Sequence, residues 1–213
     1  DPLLHVMRVI RDERAPEHDR EPYDRFRGRL MFPIRDARGR CIAFSGRILG
    51  DGEPKYLNSP DTPIFDKGRT LFNLDKAGPA SRTTKRVIVV EGQMDVVALD
   101  QAGFSETVAP LGTALTEAQI QKLWQLSDQP VLCFDGDAAG EKAAIRAAKR
   151  TLGILAPGKT LSVVQLPPNQ DPDDIIKSDG KAAFAENDRR TAHAIGCASG
   201  TDEGPACLSD AQL

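Results

Sequence analysis

The stretch Val87-Ile88-Val89-Val90-Glu91-Gly92-Gln93-Met94-Asp95 constrains this chain more than any other. Four β-branched apolar residues in a row suit a strand buried on both faces, as in parallel sheets covered by helices. The run ends abruptly in a glutamate and a glycine, and a helical pattern follows. The same grammar recurs twice. Val131-Leu132-Cys133-Phe134 runs into Asp135-Gly136-Asp137, and the apolar run from Leu161 to Leu166 is followed by Asp171-Pro172-Asp173-Asp174. Ligands of an open α/β sheet bind outside the carboxyl ends of the strands. Such a fold would gather Glu91, Asp135, Asp137, Asp171 and Asp173 along one edge.

The segments between these strands agree. A helix is expected near Met94 to Ala102, stopped by Gly103, then a short strand from Thr107 to Ala109. Thr116 to Gln125 reads as a helix with Thr116 as N-cap and Gln119 as its reciprocal partner, and Glu141 to Leu152 as an alanine-rich helix. The alternation predicts an α/β fold, a mostly parallel sheet with helices on both faces, over residues 86–186. A smaller basic α+β subdomain is expected over 1–85 and an irregular tail over 187–213. Within the first segment, Leu3 to Ile10 reads as the tail of a helix and Arg11 to Glu21 as a loop. Arg29 to Arg35 and Arg40 to Arg47 read as two strands joined by the turn Asp36-Ala37-Arg38-Gly39. A short helix is expected around Thr70 to Lys76, with Gly78 to Lys85 as a polar linker.

Net charge is only -3 over 213 residues, so its distribution matters more than its sum. Residues 25–55 carry eight basic and three acidic side chains, a local excess of +5, which predicts a solvated positive face. The four cysteines, Cys41, Cys133, Cys197 and Cys207, form no C-x-x-C pair, so zinc is not expected. No apolar run approaches membrane-spanning length and no signal peptide is visible; a cytoplasmic protein without a membrane partner is expected. The first residue is Asp1 rather than methionine, which reads as a fragment or a processed product.

A single acid at a strand end often does no more than cap the next helix. Three acidic clusters on strands of one sheet repel one another unless a cation neutralises them. An all-oxygen donor set without histidine or cysteine selects Mg²⁺ or Mn²⁺. Magnesium sites of this kind hold substrate phosphates, and two metals suit an in-line phosphoryl displacement. That points to nucleotidyl transfer, strand cleavage or strand rejoining. Gly92 and Gly136 read as positions where the backbone turns sharply after the acid.

Glu91-Gly92-Gln93-Met94-Asp95, Asp135-Gly136-Asp137 and Asp171-Pro172-Asp173 together resemble the TOPRIM domain, shared by primases, type IA and type II topoisomerases and some nucleases and repair proteins. The flanking motifs are narrower. Arg25 to Asp36, Phe44-Ser45-Gly46-Arg47, Lys55-Tyr56-Leu57-Asn58-Ser59-Pro60 and Phe65-Asp66-Lys67-Gly68 resemble the RNA-polymerase core of bacterial DnaG-type primases, over about residues 22–186. The resemblance implies a DNA primase: short RNA primers made from ribonucleoside triphosphates on a single-stranded DNA template during replication. It assigns Glu91, Asp135 and Asp137 to catalysis at a Mg²⁺ or Mn²⁺ centre, Asp171 and Asp173 to its support, and Asp95 to its vicinity. It also assigns Arg47, Lys55, Asn58 and Lys67 to template and nucleotide binding. The full-length family further carries a zinc-binding domain and a domain that docks on the replicative helicase, which lie outside these residues. The alternatives are a TOPRIM topoisomerase or nuclease fragment, or an inactive nucleic-acid-binding remnant. A topoisomerase needs a tyrosine nucleophile, and Tyr56 of the two tyrosines already belongs to the primase motif.

Overall fold

The computed structural model describes residues 8–10, 23–112, 114–164, 166–190 and 192–195. The chain forms two compact units, Asp1–Asp66 and Lys67–Leu213.

In the first unit, β1 (Arg8–Ile10) and β2 (Tyr23–Asp24) pair antiparallel. Arg8 to Ile10 is therefore a strand and not the end of a helix; its β-branched Val9-Ile10 suits extended backbone, and β2 supplies the hydrogen-bonding partners. Leu3 to Met7 and Arg11 to Glu21 lie outside the described residues. The expected hairpin forms from β3 (Arg29–Arg35) and β4 (Cys41–Ile48), with β5 (Tyr56–Asn58) added antiparallel to β4. Its turn closes where the Gly39 N–H donates to the Asp36 carbonyl at 2.9 Å. Phe26, Phe32, Ile34, Ala43 and Phe65 are buried.

The arginines of this unit do not simply form a solvated face. Arg29 donates to the Gly46 and Pro54 carbonyls at 3.1 and 2.8 Å, and Arg25 to the Asn58 carbonyl at 3.0 Å. Arg35 donates to the Gly39 carbonyl at 2.8 Å, and Arg40 pairs with Asp36 at 2.6 Å. A guanidinium offers five donors in a fixed fork, which suits it to carbonyls left open at turns and strand ends.

The second unit begins with α1 (Leu74–Thr84), followed by β6 (Ile88–Val89), α2 (Gln93–Gln101), β7 (Thr107–Val108), α3 (Glu117–Leu123) and β8 (Val131–Cys133). Then come α4 (Ala138–Gly153), β9 (Leu161–Val164), α5 (Pro172–Ser178), α6 (Gly180–Arg190) and β10 (Ala192–Ile195). The strand order is β10-β9-β8-β6-β7. β9, β8, β6 and β7 are parallel, and β10 lies antiparallel against β9.

All of Val87 to Val90 is buried without residual exposure, as the apolar run requires. The ladder reaches past Ile88–Val89: Val131 N–H donates to the Val87 carbonyl at 2.9 Å and Val90 N–H to the Val108 carbonyl at 3.0 Å. Alternate residues face opposite ways. Val87, Val89, Leu132 and Leu161 join Ile120, Leu123, Trp124 and Ala147 in one core. Ile88 is buried outside that cluster. Consistently, α3 packs on α4, while α2 packs on α5 and α5 on α6, giving helices on both faces.

Several expectations change in this unit: the short helix expected around Thr70 to Lys76 begins only at Leu74. The linker expected over Gly78 to Lys85 is the body of α1, which tolerates Pro79 within it. Proline removes only one intrahelical N–H here, and Ala77, Gly78 and Ser81 are buried, so packing outweighs the breakers. The irregular tail expected from 187 is, in its described part, the end of α6 and the edge strand β10; a four-residue strand leaves almost no periodic signal. Residues 196–213 lie outside the described residues.

Candidate functional site

From β6 the chain moves to β7 on one side, then returns through α3 to β8 on the other side of β6. The loops leaving β6 and β8 therefore diverge to opposite faces, and the crevice between them is the topological switch point of the sheet. Glu91 opens the first loop and Asp135 the second. They meet directly, the Asp135 N–H donating to Glu91 Oε1 at 3.2 Å. The first turn of α4 presses on both. A Cβ on Gly140 would lie 2.1 Å from the Asp135 carbonyl oxygen and 2.9 Å from Glu91 Oε1.

The third loop is tied to the second by backbone. The Gly136 N–H donates to the Gln170 carbonyl at 2.9 Å and the Asn169 N–H to the Gly136 carbonyl at 3.0 Å. A Cβ on Gly136 would stand 2.0 Å from the Pro167 oxygen. Gly92 has φ −119°, and Gly136 is absent from the left-handed region. Both glycines lie in bends of the backbone, as expected, and they also provide room for close approach.

Several of the acids carry structural hydrogen bonds. Asp137 caps α4, its Oδ1 accepting from the Ala139 and Gly140 N–H groups at 2.9 and 2.8 Å. Asp171 caps α5, accepting from the Asp174 N–H at 2.7 Å. Asp173 pairs with Lys177 at 2.5 Å. Asp135 differs: its Oδ1 is buried and has no hydrogen-bond partner. Asp95, 8% exposed, accepts from the Gly92 N–H at 3.0 Å. It is absent from the metal set drawn from the sequence, although its place in the first turn of α2, four residues after Glu91, points it back towards the acid edge.

Burial pushes the Asp135 carboxyl up to about 7, reinforced by repulsion from Glu91, Asp95, Asp171 and Asp137. Burial likewise raises Asp95 to about 6, with Asp171, Asp173 and Glu91 adding to the effect and the Gly92 hydrogen bond opposing it. Glu91 is raised by burial and by Asp137, and held back by the Asp135 N–H and by Arg146. These acids share one field. Even so, no three acidic, histidine or cysteine side chains among the described residues approach closely enough to hold a metal by themselves.

The basic candidates sit elsewhere in the chain. Arg47 donates to Tyr56 Oη at 3.2 Å, and its guanidinium lies 5.6 Å from the Tyr56 ring centroid. Lys55 is exposed and Asn58 half-buried. These three belong to the first unit. Lys67 belongs to the second, where its carbonyl accepts from Gln119 Nε2 at 3.0 Å.

Residues 9–78 match the family model described as DNA primase catalytic core, N-terminal domain, and residues 85–165 match the Toprim domain. The DNA primase of Pseudomonas aeruginosa is 52% identical over 162 residues, 76% of this chain and 24% of that protein. The chain belongs to the bacterial DnaG-type primase family. A crystal structure of a DNA primase domain from P. aeruginosa superposes with TM-score 0.83 at 45% identity, covering 89% of this chain and 58% of the other. A DnaG primase catalytic domain bound to ssDNA gives TM-score 0.76 at 45% identity, over 86% and 57% of the two chains. The chain spans about a quarter of the length of the P. aeruginosa primase. These likenesses lend the topoisomerase and nuclease alternatives no support over the primase one. No helix among the described residues is long and apolar enough to cross a membrane.

Proposed function

We propose that this chain carries the nucleotidyl-transfer core of a DNA primase, building short RNA primers from ribonucleoside triphosphates on single-stranded DNA. One observation joined to family membership carries this reading. At the switch point of a TOPRIM sheet, a buried Asp135 oxygen lacks any hydrogen-bond partner, beside carboxyls whose protonation is favoured by mutual repulsion.

That donor set fits a divalent cation. The donors are all hard carboxylate oxygens, which suits Mg²⁺ or Mn²⁺. Waters and substrate oxygens would complete the shell of such an ion, the usual habit of Mg²⁺. Glu91, Asp135 and Asp137 are the residues assigned to hold it, with Asp171 and Asp173 in support. When bound, the ion would neutralise triphosphate charge and stabilise the attacking and leaving oxygens.

The protein's own contribution is positioning. The Asp135 N–H bond to Glu91 and the backbone ties between the second and third loops hold the acids close together. The primer's 3′-hydroxyl attacks the α-phosphate of the incoming nucleotide and pyrophosphate leaves. Glu91, whose carboxyl burial raises from its ordinary value, is assigned either to cation binding or to accepting the hydroxyl proton. Arg47, Lys55, Asn58 and Lys67 are assigned to template and nucleotide phosphates, the exposed Lys55 most directly. For the whole protein the reading implies a cytoplasmic enzyme working with the replicative helicase.

The test is primer synthesis on single-stranded DNA with ribonucleoside triphosphates and Mg²⁺ or Mn²⁺. Glu91→Gln and Asp137→Asn should each abolish RNA product while leaving DNA binding intact. Normal synthesis by both variants would overturn the site assignment.

A further inference from the structure

The third acid loop is held to the second by one turn. Pro167-Pro168-Asn169-Gln170 closes where the Gln170 N–H donates to the Pro167 carbonyl at 3.2 Å. Proline at the second position and a positive φ at the third mark a type II turn, and Asn169 has φ 58°. Among the described residues, only Asn73, Lys85 and Asn169 hold a positive φ without being glycine. That conformation crowds a Cβ against the backbone, and asparagine tolerates it better than most residues do.

The mouth of the turn closes on Gly136. The Asn169 N–H donates to the Gly136 carbonyl at 3.0 Å, and the Gly136 N–H donates to the Gln170 carbonyl at 2.9 Å. The Pro167 oxygen fills the space that a Cβ on Gly136 would need. Acids flank this clasp on both sides, since Asp135 and Asp137 adjoin Gly136 and Asp171 follows Gln170. The Asn169 side chain is exposed and, among the described residues, makes no hydrogen bond or ion pair. Its contribution is therefore the backbone conformation. A right-handed or extended residue at 169 would turn its N–H away from Gly136 and release the loop.

We propose that Asn169 is a positioning residue of the acid edge: its left-handed backbone holds the Asp171 loop against Asp135 and thereby sets the affinity of the edge for a divalent cation. This rests on the proposed Mg²⁺ or Mn²⁺ site.

The experiment is calorimetric Mn²⁺ titration of N169A and N169G beside the wild-type protein, with each protein also melted in chelator. Both substitutions remove the side chain, but only alanine brings a Cβ that resists a positive φ. N169A should weaken Mn²⁺ binding by about fivefold, the low end of the left-handed penalty. Its primer synthesis should need correspondingly more Mn²⁺ and reach the wild-type rate at saturation. N169G should bind Mn²⁺ as the wild type does. T116A, which removes a cap remote from the clasp, should lower the melting temperature and leave Mn²⁺ affinity unchanged. The proposal fails if N169A binds Mn²⁺ as tightly as wild type, an outcome that leaves the primase reading standing. It fails too if N169G loses as much affinity as N169A, because the side chain and not the conformation would then matter. An equal loss in T116A would also overturn it, since the affinity would then follow general stability alone. Absence of Mn²⁺ binding by the wild-type protein would overturn the cation site and this inference together.

Discussion

Asp135 differs from its neighbours in what it lacks. Asp137 and Asp171 each satisfy a helix terminus and Asp173 has Lys177, whereas Asp135 keeps a buried oxygen unpartnered. Its carboxyl titrates near 7 and that of Asp95 near 6, both above the ordinary value of 3.8. The sign of the consequence follows from proton linkage. Between pH about 4 and about 7 the folded protein retains protons that the unfolded chain has released. The stability these groups lend is therefore complete at the acid end, falls as pH rises through that window, and levels off above it. In chelator, Asp135→Asn should raise stability at pH 8 by roughly 1–2 kcal/mol, after allowance for solvent screening of a half-exposed group. At pH 4 it should change little. Thermal melts at the two pH values check this; a variant less stable at pH 8 would mean that repulsion is not the dominant effect at Asp135. The same substitution should abolish the melting-temperature rise that Mn²⁺ gives the wild-type protein.

At the scale of elements, the site depends on backbone packing that side-chain patterns do not announce. Gly136→Ala would drive a methyl group into the Pro167 oxygen and push the 167–170 loop away from the second acid loop. Overpacking of this kind costs about 1–3 kcal/mol. Mn²⁺ affinity should fall with stability, read by titration and by melting of the same variant. Unchanged Mn²⁺ binding would show that the third loop does not support the centre. Thr116→Ala should behave differently. It removes the α3 cap and the bond to the Gly68 carbonyl, lowering stability by about 1 kcal/mol with Mn²⁺ affinity kept. That cap was legible from Thr116 and Gln119 alone, as were the strands around Val87 to Val90 and Val131 to Cys133, because capping boxes and unbroken apolar runs are local signals. Other features were not. Helix α1 runs through Gly78 and Pro79 because Ala77 and Ser81 are buried, a tertiary effect that overrides propensity. Gly136 is a turn residue as read, but its second role shows only once its approach to Pro167, far along the chain, is known. Asp95 is placed near the acids by the family resemblance alone, and its share in their field shows only in its burial and in its closeness to Asp171 and Asp173. The arginines around β3 do face solvent, Arg27, Arg35, Arg38 and Arg40 being exposed, but charge says nothing about which carbonyls lie within reach.

At the scale of the whole chain, the acids and Lys55 belong to compact units with separate cores, Lys67–Leu213 and Asp1–Asp66. Substitutions that share no partner are expected to act independently. Glu91→Gln should weaken Mn²⁺ binding without changing the salt slope of single-stranded DNA affinity. Lys55→Ala should lower that slope by about 0.7 and leave Mn²⁺ binding as in wild type. The double variant should show both losses and no more. Calorimetric Mn²⁺ titration and anisotropy on the same four proteins measure the cycle. A Lys55→Ala effect on Mn²⁺ affinity would overturn the independence of the two substitutions. Strict independence would mean that metal binding and strand binding are separate properties.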